Sequence, residues 1–158
     1  MPQATSRVLD AASSAELVSG RVVPARSFTP SEANSALADV RPVAERLVAL
    51  RARLRGLEHE QGSLLGAIVG NGGGYTGSDL AAARGELESL AEAAAACVER
   101  LNDLGVELKD PDTGLLDFPA DRAGEPVLLC WHVGEDEVAF WHRRSEGFAG
   151  RQPIDWDG

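Results

Sequence analysis

The stretch from Ser78 to Gly105, SDLAAARGELESLAEAAAACVERLNDLG, decides the fold of this chain. Its apolar residues recur at steps of three and four, the spacing of a helix packed lengthwise on another helix. Ser78 is the expected N-cap, and Gly105 should end the helix because glycine readily adopts the left-handed conformation found at helix ends. The apolar seam of this helix consists of Leu80, Ala83, Leu87, Leu90, Ala94, Cys97, Leu101 and Leu104.

A first helix is expected upstream, with a clear start. Thr29 suits the N-cap, Pro30 suits the first helical position, and Glu32 can complete a capping box with Thr29. Pro42 removes an amide donor and crowds the preceding turn, so this helix should kink or restart there. The seam continues beyond Pro42, again at steps of four and three, with Val43, Leu47, Leu50, Leu54 and Leu57.

The two helices carry complementary charge, which favours their antiparallel pairing as a helical hairpin over residues 27–104. A glycine-rich loop over residues 61–77 should join them. Helices of about 25 residues reach roughly 35–40 Å, longer than a small sheet covers, so part of the seam should remain for a second copy of the chain or another protein. The charges are those of Arg46, Arg51, Arg53 and Arg55 on the first helix, and of Glu86, Glu88, Glu92 and Glu99 on the second.

Residues 105–158 should form an antiparallel meander of about four strands followed by a C-terminal tail. The apolar face of the meander would pack on the helices and give one α+β domain over residues 27–158. The expected parts are a hairpin of Val106–Lys109 with Leu115–Phe118, a connection over Pro119–Pro126, and a hairpin of Val127–Val133 with Glu137–His142.

The first 26 residues mix Ser, Ala, Pro and isolated charges, and their apolar residues show no sustained helical or strand periodicity. Residues 1–26 should therefore be a disordered tail. Within this tail, four residues could form a weakly docked strand: Leu17, Val18, Val22 and Val23.

Charge and composition exclude several classes of partner. The chain has 158 residues and a formal net charge of -10, so its field repels nucleic acid and anionic lipid. No secretory signal and no stretch of roughly 18–20 apolar residues is present, so the protein should be cytoplasmic. Its two cysteines, Cys97 and Cys130, follow no disulfide or zinc spacing and should be buried small hydrophobes.

Any chemistry should lie in the strand region, where two of the three histidines occur on one expected hairpin. A two-residue turn at Glu135 and Asp136 would place His132 with Trp141, whereas a shift of one residue would unite His132 with His142. The second register would add Asp117 or Glu107 as a third ligand and suit zinc or iron. The spacing matches no metal motif, so the favoured interpretation is that of rim histidines hydrogen-bonded to carboxylates, with no bound cofactor.

Arg151 is the other candidate, because it follows the glycine-bracketed Phe148 and could present its guanidinium to a carboxylate or phosphate. The favoured interpretation is structural: Arg151 pairs with a sheet carboxylate and fixes the C-terminal tail. If the three residues converge, His142, Glu135 and Arg151 would form a polar pocket at the rim of the sheet.

Several short motifs, taken in order, resemble a bacterial family known as domain of unknown function 2203, over Phe28 to Pro153. In that family the position of His132 often carries a basic side chain, which leaves His142 the stronger candidate. The resemblance implies no activity, substrate or catalytic residue. The motifs are Phe28-Thr29 with Glu32-Ala33-Asn34, Lys109-Asp110-Pro111 with Gly114, Asp117-Phe118-Pro119, Cys130-Trp131, Gly134-Glu135, Trp141-His142, and Gly147-Phe148 with Arg151.

Two functions are compatible with these patterns. The first is a binding or interaction protein that self-associates through its helical hairpin and has a polar pocket at the sheet rim. The second is an enzyme that uses His142 as general acid or base, oriented by Glu135 or Asp117 and assisted by a divalent metal. No serine or cysteine lies in a recognisable nucleophile motif.

Overall fold

The computed structural model describes residues 15–18, 21–24, 26–71 and 76–157. Within these residues two long helices precede a five-stranded antiparallel sheet, which confirms the α+β class. The elements are β1 (Ala15–Val18), β2 (Arg21–Pro24), α1 (Pro30–Asn71), α2 (Gly77–Asp103), β3 (Glu107–Asp110), β4 (Leu115–Arg122), β5 (Glu125–Trp131), β6 (Phe140–Arg143) and β7 (Gln152–Pro153), with a 3-10 helix at Phe148–Gly150.

The start of α1 is the expected capping box. The amide of Thr29 donates to Glu32 Oε2 at 2.9 Å, and the amide of Glu32 donates to Thr29 Oγ1 at 3.1 Å. The helix then continues through Pro42, so the expected restart is wrong. Val40 and Ala44 flank Pro42 and are fully buried in the core, and this burial offsets the lost hydrogen bond. A kink at Pro42 stays a prediction.

The connection between the helices is shorter than expected. Residues 61–71 belong to α1, because glycine lowers helix propensity by only about 1 kcal/mol per position and does not forbid a helix. Residues 72–75 of the expected loop lie outside the described residues. Thr76, not Ser78, caps α2: its amide donates to Asp79 Oδ2 at 2.9 Å, and its hydroxyl accepts from the amide of Asp79 at 3.3 Å. Threonine and aspartate three residues apart form the capping box better than Ser78 could.

The helices run antiparallel. Arg26, just before α1, donates to the carbonyl of Leu104, just after α2, and Arg53 pairs with Glu86 further along at 2.9 Å. Gly105, with φ of +84°, ends the helical segment as expected. Strand β3 therefore begins a few residues after the end of α2.

The sheet has the strand order β3-β4-β5-β6-β7, one strand more than expected. The additional strand, β7, is short and pairs Phe140 with Pro153 and Trp141 with Gln152. The expected connection over Pro119–Pro126 is wrong, because β4 and β5 meet at a two-residue turn at Ala123 and Gly124. Both turn residues have positive φ, +54° and +85°, as in the tight turns that match strand twist.

Alternation along the strands gives the sheet two different faces. The inner face packs on the helices and forms the core, together with Phe28, Ala33, Leu37, Val40, Ala44 and Leu47. The outer face carries Asp117, Leu128, Cys130 and His142, all of them buried although they point away from the helices. The inner-face residues are Leu116, Phe118, Ala120, Val127, Leu129, Trp131 and Trp141.

Within the expected tail, β1 and β2 form an antiparallel pair with Leu17 opposite Val22 and Val18 opposite Arg21. The strand tendency of the Leu and Val residues is therefore realised in this segment. Residues 1–14, 19, 20 and 25 of the expected tail lie outside the described residues, and disorder of the tail stays a prediction.

Candidate functional site

Three polar side chains lie together on the outer face of the sheet. Asp117 in β4 is directly opposite Cys130 in β5, and Leu128, two residues before Cys130, is opposite His142 in β6. Asp117, Cys130 and His142 are only 2%, 1% and 3% exposed. Burying three polar groups on one face is costly unless they satisfy one another or a ligand.

A segment after β6 partly covers this face and leaves a cavity of about 240 Å³. The guanidinium of Arg151 holds the cover in place, because it stacks on Phe140 at 4.3 Å and on Phe148 at 4.7 Å. The three polar groups form the floor of this space, which we call the outer-face cavity. It is lined by Lys109, Leu115, Asp117, Leu128, Cys130, His142, Arg144, Gly147 and Phe148.

His142 is held by hydrogen bonds at both ring nitrogens. Nδ1 lies 2.8 Å from the carbonyl oxygen of Arg143, which only accepts, so Nδ1 carries a hydrogen. Nε2 lies 3.1 and 3.2 Å from the two carboxylate oxygens of Asp117. These distances are within hydrogen-bonding range. Asp117 and His142 therefore form a hydrogen-bonded pair at the floor of the cavity.

Cys130 is not an activated nucleophile in this arrangement. Burial raises the pKa of its thiol to about 12, and the neighbouring Asp117 carboxylate adds to the effect. The ring nitrogens of His142 are already committed to Arg143 and Asp117, so the histidine does not act as the base of a Cys–His pair. The thiol sulfur, an Asp117 oxygen and a His142 nitrogen nevertheless all lie within 4.8 Å of one another.

The rim of the cavity is cationic. Lys109 and Arg144 both contact the carboxylate of Glu107, at 2.7 and 2.9 Å. Burial alone would raise the pKa of Glu107, but the hydrogen bonds and charges of Lys109 and Arg144 outweigh it and lower the pKa below its usual value of 4.5. Two cations share one carboxylate here, which leaves the rim with a net positive charge.

Glu135 and Arg151 form a separate pair beside the cavity. Arg151 Nη2 donates to both carboxylate oxygens of Glu135, at 2.7 and 2.8 Å, and lies 3.4 Å from the carbonyl of Cys130. Neither residue lines the cavity. The structure therefore does not bring His142, Glu135 and Arg151 into one pocket, and the arginine pairs with a carboxylate as the structural interpretation proposes.

Neither expected register of the histidine hairpin occurs. His142 lies opposite Leu128, and His132 follows the end of β5 in a longer connection. His132 Nδ1 contacts the carbonyl oxygen of Val133 at 2.8 Å, and its Nε2 lies 3.6 Å from Glu135. His132 thus fits the description of a rim histidine beside a carboxylate, whereas His142 is buried. Asp117 and Cys130 are the side chains grouped with His142.

Sequence reasoning placed Asp117 and His142 correctly as possible neighbours but missed Cys130, Lys109 and Arg144. The signal that could have found Cys130 is the Ala123-Gly124 turn, since a two-residue turn at that point sets Asp117 opposite Cys130. Pro119 argued against a continuous strand here, because proline cannot donate a hydrogen bond to a neighbouring strand. In the structure Pro119 lies beyond Asp117, the last residue of β4 that pairs with β3, so its missing N–H costs no hydrogen bond between these strands. Its carbonyl accepts a hydrogen bond from the amide of Phe28 at 2.7 Å.

A second concavity, of about 310 Å³, lies at the start of α1. Five of its seven lining residues are exposed, and no buried polar side chain points into it. It lacks the buried polar groups that distinguish the outer-face cavity.

Comparisons with known proteins give a single positive result. A family model described as an uncharacterized conserved protein (DUF2203) matches residues 26–154. No curated protein and no solved structure matches the chain. Neither described helix combines the length and apolarity that a membrane crossing needs.

Proposed function

The chain belongs to the DUF2203 family of uncharacterized conserved proteins, and we propose that it is a binding protein that takes a small anionic molecule into the outer-face cavity. One observation carries the proposal: Asp117, Cys130 and His142 are almost fully buried, yet they line a cavity and not the apolar core. A concave site with a few convergent polar groups among apolar ones is the usual form of a small-molecule site.

The charge at the rim supports an anion. Two cations, Lys109 and Arg144, line the cavity, although the whole chain carries -10. Both contact Glu107, but an ammonium and a guanidinium each have several N–H donors, so both can also hold an anion with charge-assisted hydrogen bonds. The volume of about 240 Å³ is below the roughly 300–1,000 Å³ of sites for drug-sized ligands, so the ligand is small.

Calorimetric titration with two probes, inorganic phosphate and succinate, tests this proposal. Arg144→Gln should weaken binding about tenfold or more, because a hydrogen bond to a charged group is worth about 1.5–3 kcal/mol. Arg143→Gln is the matched control: Arg143 is the adjacent residue, is similarly exposed and pairs with Glu125, but does not line the cavity. Binding of neither probe, or equal losses in both variants, would contradict the proposal.

Self-association through the helices is the second part of the proposed function. The buried residues of α2 are Ala94, Cys97 and Leu101, all in its second half. Leu80 in the first half is 39% exposed although it belongs to the apolar seam. A second copy of the chain would cover this half of the seam, since the same acidic and basic helix surfaces are self-complementary in an antiparallel arrangement.

Light scattering at micromolar concentration measures this association. We expect a dimer whose dissociation constant rises with Leu80→Gln and not with Ala81→Gln, an exposed neighbour outside the seam. A strict monomer with full helix content would remove the self-association part and leave ligand binding untouched.

Catalysis is the second candidate function, because the hydrogen-bonded Asp117–His142 pair lies on the floor of a cavity that a substrate could enter. In this alternative Asp117, not Glu135, orients His142. If a ligand found by screening is recovered chemically changed, and His142→Gln abolishes the conversion but not binding, the protein is an enzyme. Unchanged ligand after prolonged incubation would favour the binding protein.

We also propose a cytoplasmic location. Both cysteines of the chain are free thiols, the state expected in a reducing compartment. A bacterial origin is proposed from the family resemblance alone.

A further inference from the structure

The floor of the outer-face cavity contains three different kinds of donor atom. Asp117 offers a carboxylate oxygen, Cys130 a sulfur and His142 a ring nitrogen, and these atoms all lie within 4.8 Å of one another. All three residues are at least 97% buried. Asp117 is the shared partner of the other two, because it contacts the ring of His142 and hydrogen-bonds the thiol of Cys130.

The orientation of His142 is that of a metal ligand. A ligating histidine usually donates its second ring N–H to a carboxylate or backbone carbonyl, which fixes the free nitrogen toward the ion. His142 Nδ1 makes such a bond to the carbonyl of Arg143 at 2.8 Å, and Nε2 faces the carboxylate of Asp117. The backbone of β6 thus presets the imidazole.

We propose that Asp117, Cys130 and His142 bind a divalent transition-metal ion, with zinc the best match to their donor atoms. The sulfur and nitrogen donors disfavour calcium and magnesium, which prefer oxygen ligands. Zinc commonly takes mixed Cys, His and carboxylate ligands, and a site with three protein ligands keeps one position open. The inference rests on the proposed function, since that open position faces the cavity where the anion would bind.

The distances fit such an ion after small side-chain movements. Tetrahedral zinc with bonds of about 2.0–2.3 Å places its ligand atoms roughly 3.3–3.8 Å apart. Nε2 of His142 already lies 3.1 and 3.2 Å from the Asp117 oxygens, and the sulfur of Cys130 lies within 4.8 Å. On binding, the ion replaces the proton between Asp117 and His142 and the thiol proton of Cys130, and both protons pass to solvent.

Cobalt(II) titration of the chelator-treated full chain tests the inference, because cobalt replaces zinc and reports its ligands optically. We expect one equivalent to produce the visible bands of tetrahedral cobalt and a near-ultraviolet thiolate-to-cobalt band. Cys130→Ser should abolish the thiolate band, and His142→Gln should weaken binding by more than about tenfold.

Two control variants isolate the site. Cys97→Ser removes the other cysteine, which lies on α2 in the hydrophobic core, and should leave the spectrum unchanged. His132→Gln removes the histidine beside Glu135 and should also leave it unchanged. Because a core substitution could unfold the chain, zinc is also added to the wild type, whose melting temperature should rise with zinc concentration.

The outcomes separate this inference from the proposed function. No cobalt spectrum and no stabilisation by zinc, or a spectrum that survives Cys130→Ser, would overturn the metal site. Phosphate binding by the metal-free protein would then still stand by itself. Conversely, cobalt binding without any binding of phosphate or succinate would support the metal site and reject the anion.

Discussion

Gly114 is a residue at which backbone geometry and packing restrict substitution together. Its φ of +69° lies in the left-handed region, and an added Cβ would collide with Val133 and approach Val48 Cγ2 to 3.0 Å. The turn between β3 and β4 depends on this position, and that turn places Lys109 and Asp117 at the cavity. A glycine here is therefore required for the site as well as for the fold.

Gly114→Ala should lower the free energy of unfolding by about 2–5 kcal/mol, the sum of left-handed strain and overpacking. Gly124→Ala is the matched control, because Gly124 has φ of +85° but nothing within 4 Å of an added Cβ. It should cost only about 1–2 kcal/mol. Urea unfolding measures both, and equal losses would show that packing around Gly114 is loose.

Cys130 should be unreactive in the folded, metal-free protein. Raising its thiol pKa from 9.0 to about 12 lowers the reactive thiolate fraction roughly thousandfold near neutral pH. In a Cys97→Ser background, iodoacetamide at pH 8 should therefore modify Cys130 at least about a thousand times more slowly than in urea. Mass spectrometry follows the reaction. Rapid modification of the native chain would mean that the thiol is activated, contrary to the geometry.

At the scale of elements, Glu107 connects β3 to the segment after β6 through its contact with Arg144, and it also contacts Lys109 within β3. Its pKa is lowered in the folded state, so its carboxylate stabilises the fold above the usual value of 4.5, and this contribution is lost as the pH falls through the lowered pKa. The cations at the cavity rim are held in place by this pairing.

Glu107→Gln should consequently reduce stability at pH 7 and flatten its decline between about pH 5 and pH 3. Glu88→Gln, an exposed change on α2, should leave the curve like that of the wild type. Thermal melts across this range give the comparison. A steeper acid decline in Glu107→Gln than in the wild type would contradict the assigned role.

Elements governed by local rules were predictable, and those governed by distant contacts were not. The Thr29–Glu32 capping box, the end of the helices at Gly105 and the hairpin of β3 and β4 follow from neighbouring residues. The continuation of β4 through Pro119 depends on Phe28, about 90 residues earlier, and on where β3 stops. The two-residue β7 pairs only through β6 and has no recognisable pattern of its own.

The same limit applies to the site. Asp117 and His142 are recognisable as chemically suitable residues, but their contact depends on registers across three strands. From the sequence, Cys130 cannot be told from a core residue, because no local pattern shows that the segment after β6 encloses a cavity over the outer face. Glu135 and Arg151 are close in space as expected, but they form an ion pair with each other beside the cavity.

At the scale of the whole molecule, the helices and the inner face of the sheet form one core, and the outer face carries the candidate site. The net charge of -10 disfavours polyanions on electrostatic grounds, and the proposed small anion would bind beside the local cations Lys109 and Arg144. Self-association through α2 would leave the outer face free, because the helices lie against the opposite face of the sheet.

Amide chemical-shift mapping of the isotope-labelled wild type with inorganic phosphate tests whether recognition occurs at the outer-face cavity. We expect shifts that saturate and cluster at lining residues such as Lys109, Cys130 and Phe148, with α2 unaffected. Saturable shifts confined to the helices, or none at any phosphate concentration, would contradict it.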